Sequence, residues 1–133
     1  VAKRYFQLEE ANALLPLLER ELIHLQNIKR DFEDKYEELE LYKKVFHAKQ
    51  VSDDSDALFT LECEIEFLQI EASAHLKNFE LQGVEVKDID SGLIDFPSYL
   101  HGEEVLLCWK QGEQGISHYH GINEGFAGRK KLT

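Results

Sequence analysis

No stretch of this chain approaches the roughly 20 consecutive apolar residues that a membrane-spanning helix requires, and no signal-peptide pattern opens it. Basic residues are scarce. Fifteen lysines and arginines stand against 26 aspartates and glutamates, a formal net charge of -11 with a pI of about 4.9. Such a surface repels a phosphate backbone or an anionic bilayer unless its few cations gather, and the one cluster is Arg129-Lys130-Lys131. Neither nucleic acid nor membrane is therefore an expected partner. The two cysteines, Cys63 and Cys108, sit in unlike settings and are not a disulfide framework, so a reducing cytoplasm is the expected location. Phosphate-binding glycine loops, dinucleotide fingerprints and G-x-S-x-G elbows are absent from the sequence as well.

Glycine is missing from the whole of residues 1–82, which hold one proline, Pro16; all eight glycines and Pro97 come later. With 43% hydrophobic and 31% charged residues, 133 residues suffice for one core. The expectation is a single domain over 1–133, helical over 1–82 and built of strands, turns and a tail over 83–133.

Spacing carries the helical assignment. Ala11, Leu18, Leu25, Phe32, Leu39 and Phe46 recur every seven residues, and Leu14 or Leu15, Leu22, Ile28 and Tyr42 fill neighbouring positions. That is a coiled-coil-like seam on one long helix. Pro16 lacks an amide donor and crowds the turn before it, predicting a kink or a separate short first helix. The run Val51-Ser-Asp-Asp-Ser-Asp56 breaks the pattern, with Ser55 or Asp56 as N-cap. A second helix is predicted from about Ala57 to Gln82, stopped by a left-handed Gly83. Its seam is Leu58, Leu61, Ile65, Leu68, Ala72, His75 and Phe79. A further apolar stripe, Phe59, Cys63, Phe67, Ile70 and Ala74, lies about 100° around the same helix. One partner helix cannot cover both, so either the C-terminal sheet or a second subunit must. Leu58, Phe59, Phe67 and Ile70 are the expected seam of a homodimer.

After Gly83 the period becomes two. Val84 and Val86 alternate with Glu85 and Lys87, and Asp90-Ser91-Gly92 makes a turn. Leu93–Phe96 reads as a strand ending at Pro97, Val105–Lys110 as the most apolar strand, and Ile116–His120 as the last, reached through a loop over 111–115. The class is α+β: a long antiparallel helical hairpin followed by a small antiparallel β-meander.

The segments GVEVKDID-GLIDFP, GEEVLLCWKQGE, ISHYH and GFAGR, with the opening YFQLEEANALLPLL, resemble an uncharacterised bacterial family known only as a domain of unknown function. The resemblance spans nearly the whole chain. It implies a helical hairpin with a C-terminal sheet and no established activity. Its matching positions are Asp95, Phe96, Pro97, Gly102, Cys108, Trp109, Gly112, Glu113, His120, Gly125, Phe126, Gly128 and Arg129. Where the family pattern has an aromatic residue this chain has His118, so a site needing both His118 and His120 would not belong to the family.

Three constellations bear chemistry. His118-Tyr119-His120 sets two imidazoles on one strand face about 7 Å apart, which with Cys108 makes a candidate site for zinc or another divalent transition metal. The alternative is two half-exposed strand histidines and no cofactor. Glu21-x-x-His24 has the spacing of a helical di-iron motif, but Glu71-x-x-x-His75 on the second helix does not match it. Asp95, Trp109, Glu113, His120 and Arg129 are the candidate ligand-binding set: a carboxylate and a histidine for proton transfer, an arginine for an anion. The structural alternative has Asp95 capping a turn, Arg129 pinning the tail by a salt bridge and Trp109 sealing the sheet. Phe126 on the tail is expected to dock as an anchor. Cys63 and Cys108 both read as buried. On balance the sequence favours a non-catalytic, self-associating protein. The competing reading is a small-ligand or metal-dependent enzyme with its site at the sheet edge.

Overall fold

The computed structural model describes residues 3–49 and 55–133. Two helices, α1 (Leu8–Lys49) and α2 (Ser55–Gln82), pack together and are followed by a five-stranded antiparallel sheet. This is the expected α+β class. The predicted break after the first helix and the packing of Phe46 fall outside the described residues.

Where α1 starts, the Glu10 carboxylate accepts the Gln7 amide at 3.0 Å, and the Ala11 amide bonds back to the Gln7 carbonyl. This is the acidic half of a capping box, placed where the helix dipole favours a negative charge. Pro16 lies inside α1 and does not divide it, so no separate first helix forms. One missing donor is tolerated in a helix of 42 residues whose inner face is packed. At the other end of the pair, Gly83 (φ 81°) closes α2. Its amide bonds to the Glu80 carbonyl and the Val84 amide reaches the Phe79 carbonyl, the two bonds of a Schellman motif, with Val84 and Phe79 both buried. A Cβ at Gly83 would meet Arg4 Cβ at 2.9 Å, so close approach as well as backbone sign requires glycine there.

The chain forms two compact units, and their boundary cuts across both helices instead of following the composition break at Gly83. In the unit of residues 24–75, the helical seam is buried as its spacing predicts. Leu39, Leu61 and Ile65 form a cluster against which Phe32 and Leu58 pack. Lys35 and Glu64 pair across the two helices in solvent, a contact of small energetic weight.

In the unit of residues 1–23 and 76–133, Ala11, Leu15, Leu18 and Leu22 of α1 and Phe79 of α2 are buried together with the sheet. The sheet runs β1 (Glu85–Asp88), β2 (Leu93–Leu100), β3 (Glu103–Lys110), β4 (His118–Gly121) and β5 (Lys130–Lys131), each strand antiparallel to the next. The meander is the expected one. The fifth strand, made by the basic tail, is an addition. β2 and β3 are joined by His101-Gly102, both at positive φ, as a two-residue hairpin loop requires. Side chains alternate across the strands, so Ile94, Phe96, Leu107 and Trp109 share one face. Phe6 meets Phe96 there, edge to face at 5.4 Å. Each of these fully buried side chains contributes roughly 1.5–3 kcal/mol through its removal from water.

β2 does not end at Pro97 but continues to Leu100. The reason is visible in the hydrogen bonds. The Pro97 carbonyl accepts the Phe6 amide at 2.8 Å, so the edge on which proline lacks a donor faces the N-terminal segment, away from β3. The buried Ser98 hydroxyl donates to the Phe6 carbonyl at 2.6 Å and supplies the donor that Pro97 cannot.

Candidate functional site

The second sheet face collects the polar residues. Register places Asp95 of β2 opposite Cys108 of β3, and Cys108 opposite His118 of β4; Pro97, Leu106 and His120 align one step further along. Asp95 and His120 are 1% and 2% exposed, and Cys108 is 2% exposed. The His120 Nε2 lies 2.9 Å from Asp95 Oδ2, and its Nδ1 lies 2.9 Å from the Gly121 carbonyl. A carbonyl only accepts, so Nδ1 carries a proton, and a second proton lies between Nε2 and the carboxylate. Burial pushes the Asp95 carboxyl above the ordinary carboxylate range, partly offset by the neighbouring imidazole. Asp95 Oδ1 has no hydrogen-bond partner. Burial also pushes the Cys108 thiol up to about 12, with Asp95 adding to the effect, so this sulfur is protonated at neutral pH and is not a nucleophile. Asp95 does not cap a turn.

Beside this cluster, Glu113 organises the loop between β3 and β4. Its carboxylate accepts the Lys110 amide at 2.7 Å and receives Arg129 Nη2 on both oxygens at 2.8 Å. Its carbonyl accepts Trp109 Nε1 at 3.0 Å. Burial raises the Glu113 pKa, but Arg129 and the Lys110 amide outweigh it and hold the carboxyl below its usual value. Arg129 thus ties the tail to this loop, with a further 3.4 Å contact to the Cys108 carbonyl, while its buried Nε has no hydrogen-bond partner. Trp109, at 1% exposure, seals the sheet.

The five candidate ligand-binding residues thus resolve into two neighbouring networks, Asp95–His120 and Trp109–Glu113–Arg129. Trp109 and Glu113 also line a cleft of about 620 Å³ with Asn12, Pro16, Glu19 and Arg20. Among the three candidate metal residues, Cys108 and His120 come together, but with Asp95 as the third member. His118 Nδ1 instead contacts Ser117 Oγ at 2.9 Å and stands 3.7 Å from Glu113. Asp95, Cys108 and His120 are the one group of three potential metal ligands among the described residues. Among the described residues the di-iron motif does not gather further ligands: Glu21 accepts the Asn78 amide at 3.4 Å, and His24 stacks on His75 with ring centroids 5.5 Å apart.

Phe126 docks less deeply than its isolation in the tail predicts. It remains 44% exposed, with Arg129 Cζ 4.8 Å and Lys110 Nζ 5.3 Å from its ring centre. Glycine-rich backbone on either side leaves the Arg129–Glu113 pair as the stronger tether. Two contributors escaped the sequence reading. Ser98 was readable in principle, as a hydroxyl directly after an in-strand proline. Asn12 accepts the Ile116 amide at 2.9 Å across 104 residues and fixes the loop before β4, and no local pattern points to it.

On α2, Phe59, Phe67 and Ile70 are 67%, 60% and 63% exposed, and Cys63 is exposed with them. Cys63 is not a core residue, and Leu58 belongs to the seam between the helices instead of to this outer face. A groove of about 480 Å³ runs along Phe59, Cys63, Phe67 and Leu68 beside Lys35. Among the described residues no helix is long and apolar enough to cross a membrane.

Together these features define an α+β protein of paired helices and an antiparallel meander, with a closed polar cluster on the sheet. Residues 4–132 match the uncharacterized conserved protein family DUF2203, and the chain belongs to it. No curated protein and no solved structure matches the chain.

Proposed function

We propose that this protein is a non-catalytic interaction module of the cytoplasm that pairs with a second copy of itself through the outer face of α2. The observation that carries the reading is the exposed stripe of Phe59, Cys63, Phe67 and Ile70. It extends about 16 Å along the helix, and monomeric proteins rarely leave contiguous apolar surface beyond a few hundred Å². The stripe is also self-complementary. A two-fold axis near residue 65 sets Phe59 against Ile70 of the second copy and the small Cys63 against Phe67, as an isologous antiparallel contact requires. Unpaired thiols, one of them exposed, suit a reducing compartment. Asp95 pairs with His120 and Glu113 with Arg129, which supports a structural role for these residues.

The flanks of the stripe carry Glu62, Glu66 and Glu71. Like charges meet in a homodimer, so salt should tighten the association, whereas a basic partner would be released by it. Sedimentation equilibrium at micromolar concentration is the test. The wild type should run above 15.5 kDa, more so at higher salt, and Phe67→Glu should run as a folded species of 15.5 kDa. A wild type that stays monomeric at every salt concentration sinks the proposal.

A further inference from the structure

We propose that Asp95, Cys108 and His120 form a binding site for a divalent transition metal, with zinc the ion that the donor set favours. Three adjacent strands deliver the three side chains to one sheet face, and their ligand atoms lie within 4.8 Å of one another at 2% exposure or less. Zinc bonds to sulfur at about 2.3 Å and to nitrogen or oxygen at about 2.0–2.2 Å. In a tetrahedral shell such ligands stand about 3.3–3.6 Å apart, so Nε2 and Oδ2, at 2.9 Å, open slightly while donors near the 4.8 Å limit close in.

Two independent features point the same way. Asp95 Oδ1 is a fully buried carboxylate oxygen that no N–H or O–H donor reaches, with the Cys108 thiol, a weak donor, as the neighbour of the carboxylate, a costly arrangement unless another ligand takes it up. The His120 ring is held through Nδ1–H by the Gly121 carbonyl, so Nε2 is the nitrogen turned toward the cluster. Metal-ligating histidines are oriented by this kind of outer hydrogen bond.

The charges balance. Without metal, one proton sits between Asp95 and His120 and one on the Cys108 sulfur, and the trio is neutral as a whole. A divalent ion displaces both protons, leaving a carboxylate, a thiolate and a neutral imidazole around a charge of two, again neutral. No net charge is buried, which removes the main objection to a metal in so dry a place. A thiolate in the set selects zinc or cobalt over magnesium or calcium.

The test uses the full chain, stripped with chelator and titrated with Zn2+ or Co2+ alone. One equivalent should bind, with two protons released per ion, and the cobalt form should show a sulfur-to-cobalt charge-transfer band. Cys108→Ser should abolish that band and weaken zinc binding at least tenfold. His118→Ala should leave both unchanged. Lack of uptake, uptake without the sulfur band, or loss of the site in His118→Ala would each overturn the assignment. The band retained in Cys63→Ser decides the matter even if Cys108→Ser fails to fold, because Cys63 is the other free thiol.

Discussion

In residues 24–75 two phenylalanines and an isoleucine stand largely in solvent, while in the unit of residues 1–23 and 76–133 an aspartate, a serine and a histidine are at most 4% exposed. The contrast follows from how each kind of structure satisfies its backbone. A helix closes its own hydrogen bonds, so its outer face is free to carry any side chain, and an apolar one there costs little until a partner arrives. A small sheet depends on neighbours. Where a strand holds a proline, as at Pro97, or where a tail must be tied down, as at Arg129, a buried polar side chain provides the missing bond. Buried polar groups in this protein mark places where the sheet needs a substitute donor or a tether. Exposed apolar ones on α2 form the face proposed for self-association.

The contrast can be broken most severely at Asp95. In chelator-treated protein, Asp95→Ala leaves the buried His120 ring without its partner and should cost about 3–5 kcal/mol in denaturant unfolding. Asp95→Asn keeps a polar group facing Nε2 and should recover most of that loss; equal damage from both variants would mean the pair contributes no hydrogen-bond stability. Next in size is Arg129→Ala. Its charge-assisted bonds to Glu113 are partly buried, so the loss should be roughly 1–3 kcal/mol, with the tail over 125–133 gaining amide exchange first.

A pH series sharpens the same point. The Glu113 carboxyl is lowered from 4.5 in the folded state, so the stability it contributes is complete above pH 4.5 and is lost as pH falls through the lowered value. Glu113→Gln should be less stable than wild type at neutral pH, and the gap between their melting temperatures should narrow on acidification. A gap that widens below pH 4.5 would contradict the ion-pair account. Smallest of all is the helical face: Phe67→Glu, measured at concentrations where the protein is dissociated, should change unfolding stability by no more than about 0.5 kcal/mol.

Much of this architecture was legible in the linear chain, and for local reasons. The seven-residue recurrence from Ala11 to Leu39 and the matching pattern from Leu61 to Phe79 specify which helix face is buried, because helical periodicity is a property of consecutive residues. Gly83 as the stop of α2 and the period of two beyond it are equally local. The outward position of Phe59, Phe67 and Ile70 also followed from angle alone, although whether the sheet covered them did not. Tertiary structure alone decided the rest. Asp95 and His120 are 25 residues apart and meet only because two hairpins set the register of β2, β3 and β4. A shift of one residue in either hairpin would turn them to opposite faces. The same register set both Asp95 and His118 opposite Cys108, but the His118 ring turns to Ser117 and Glu113; it also turned the donor-less edge of Pro97 toward a segment more than 90 residues away, where Ser98 completes the bond. Spacing along one strand tells which side chains share a face. It does not tell which strand lies alongside, and at this protein's polar cluster that neighbour determines the chemistry.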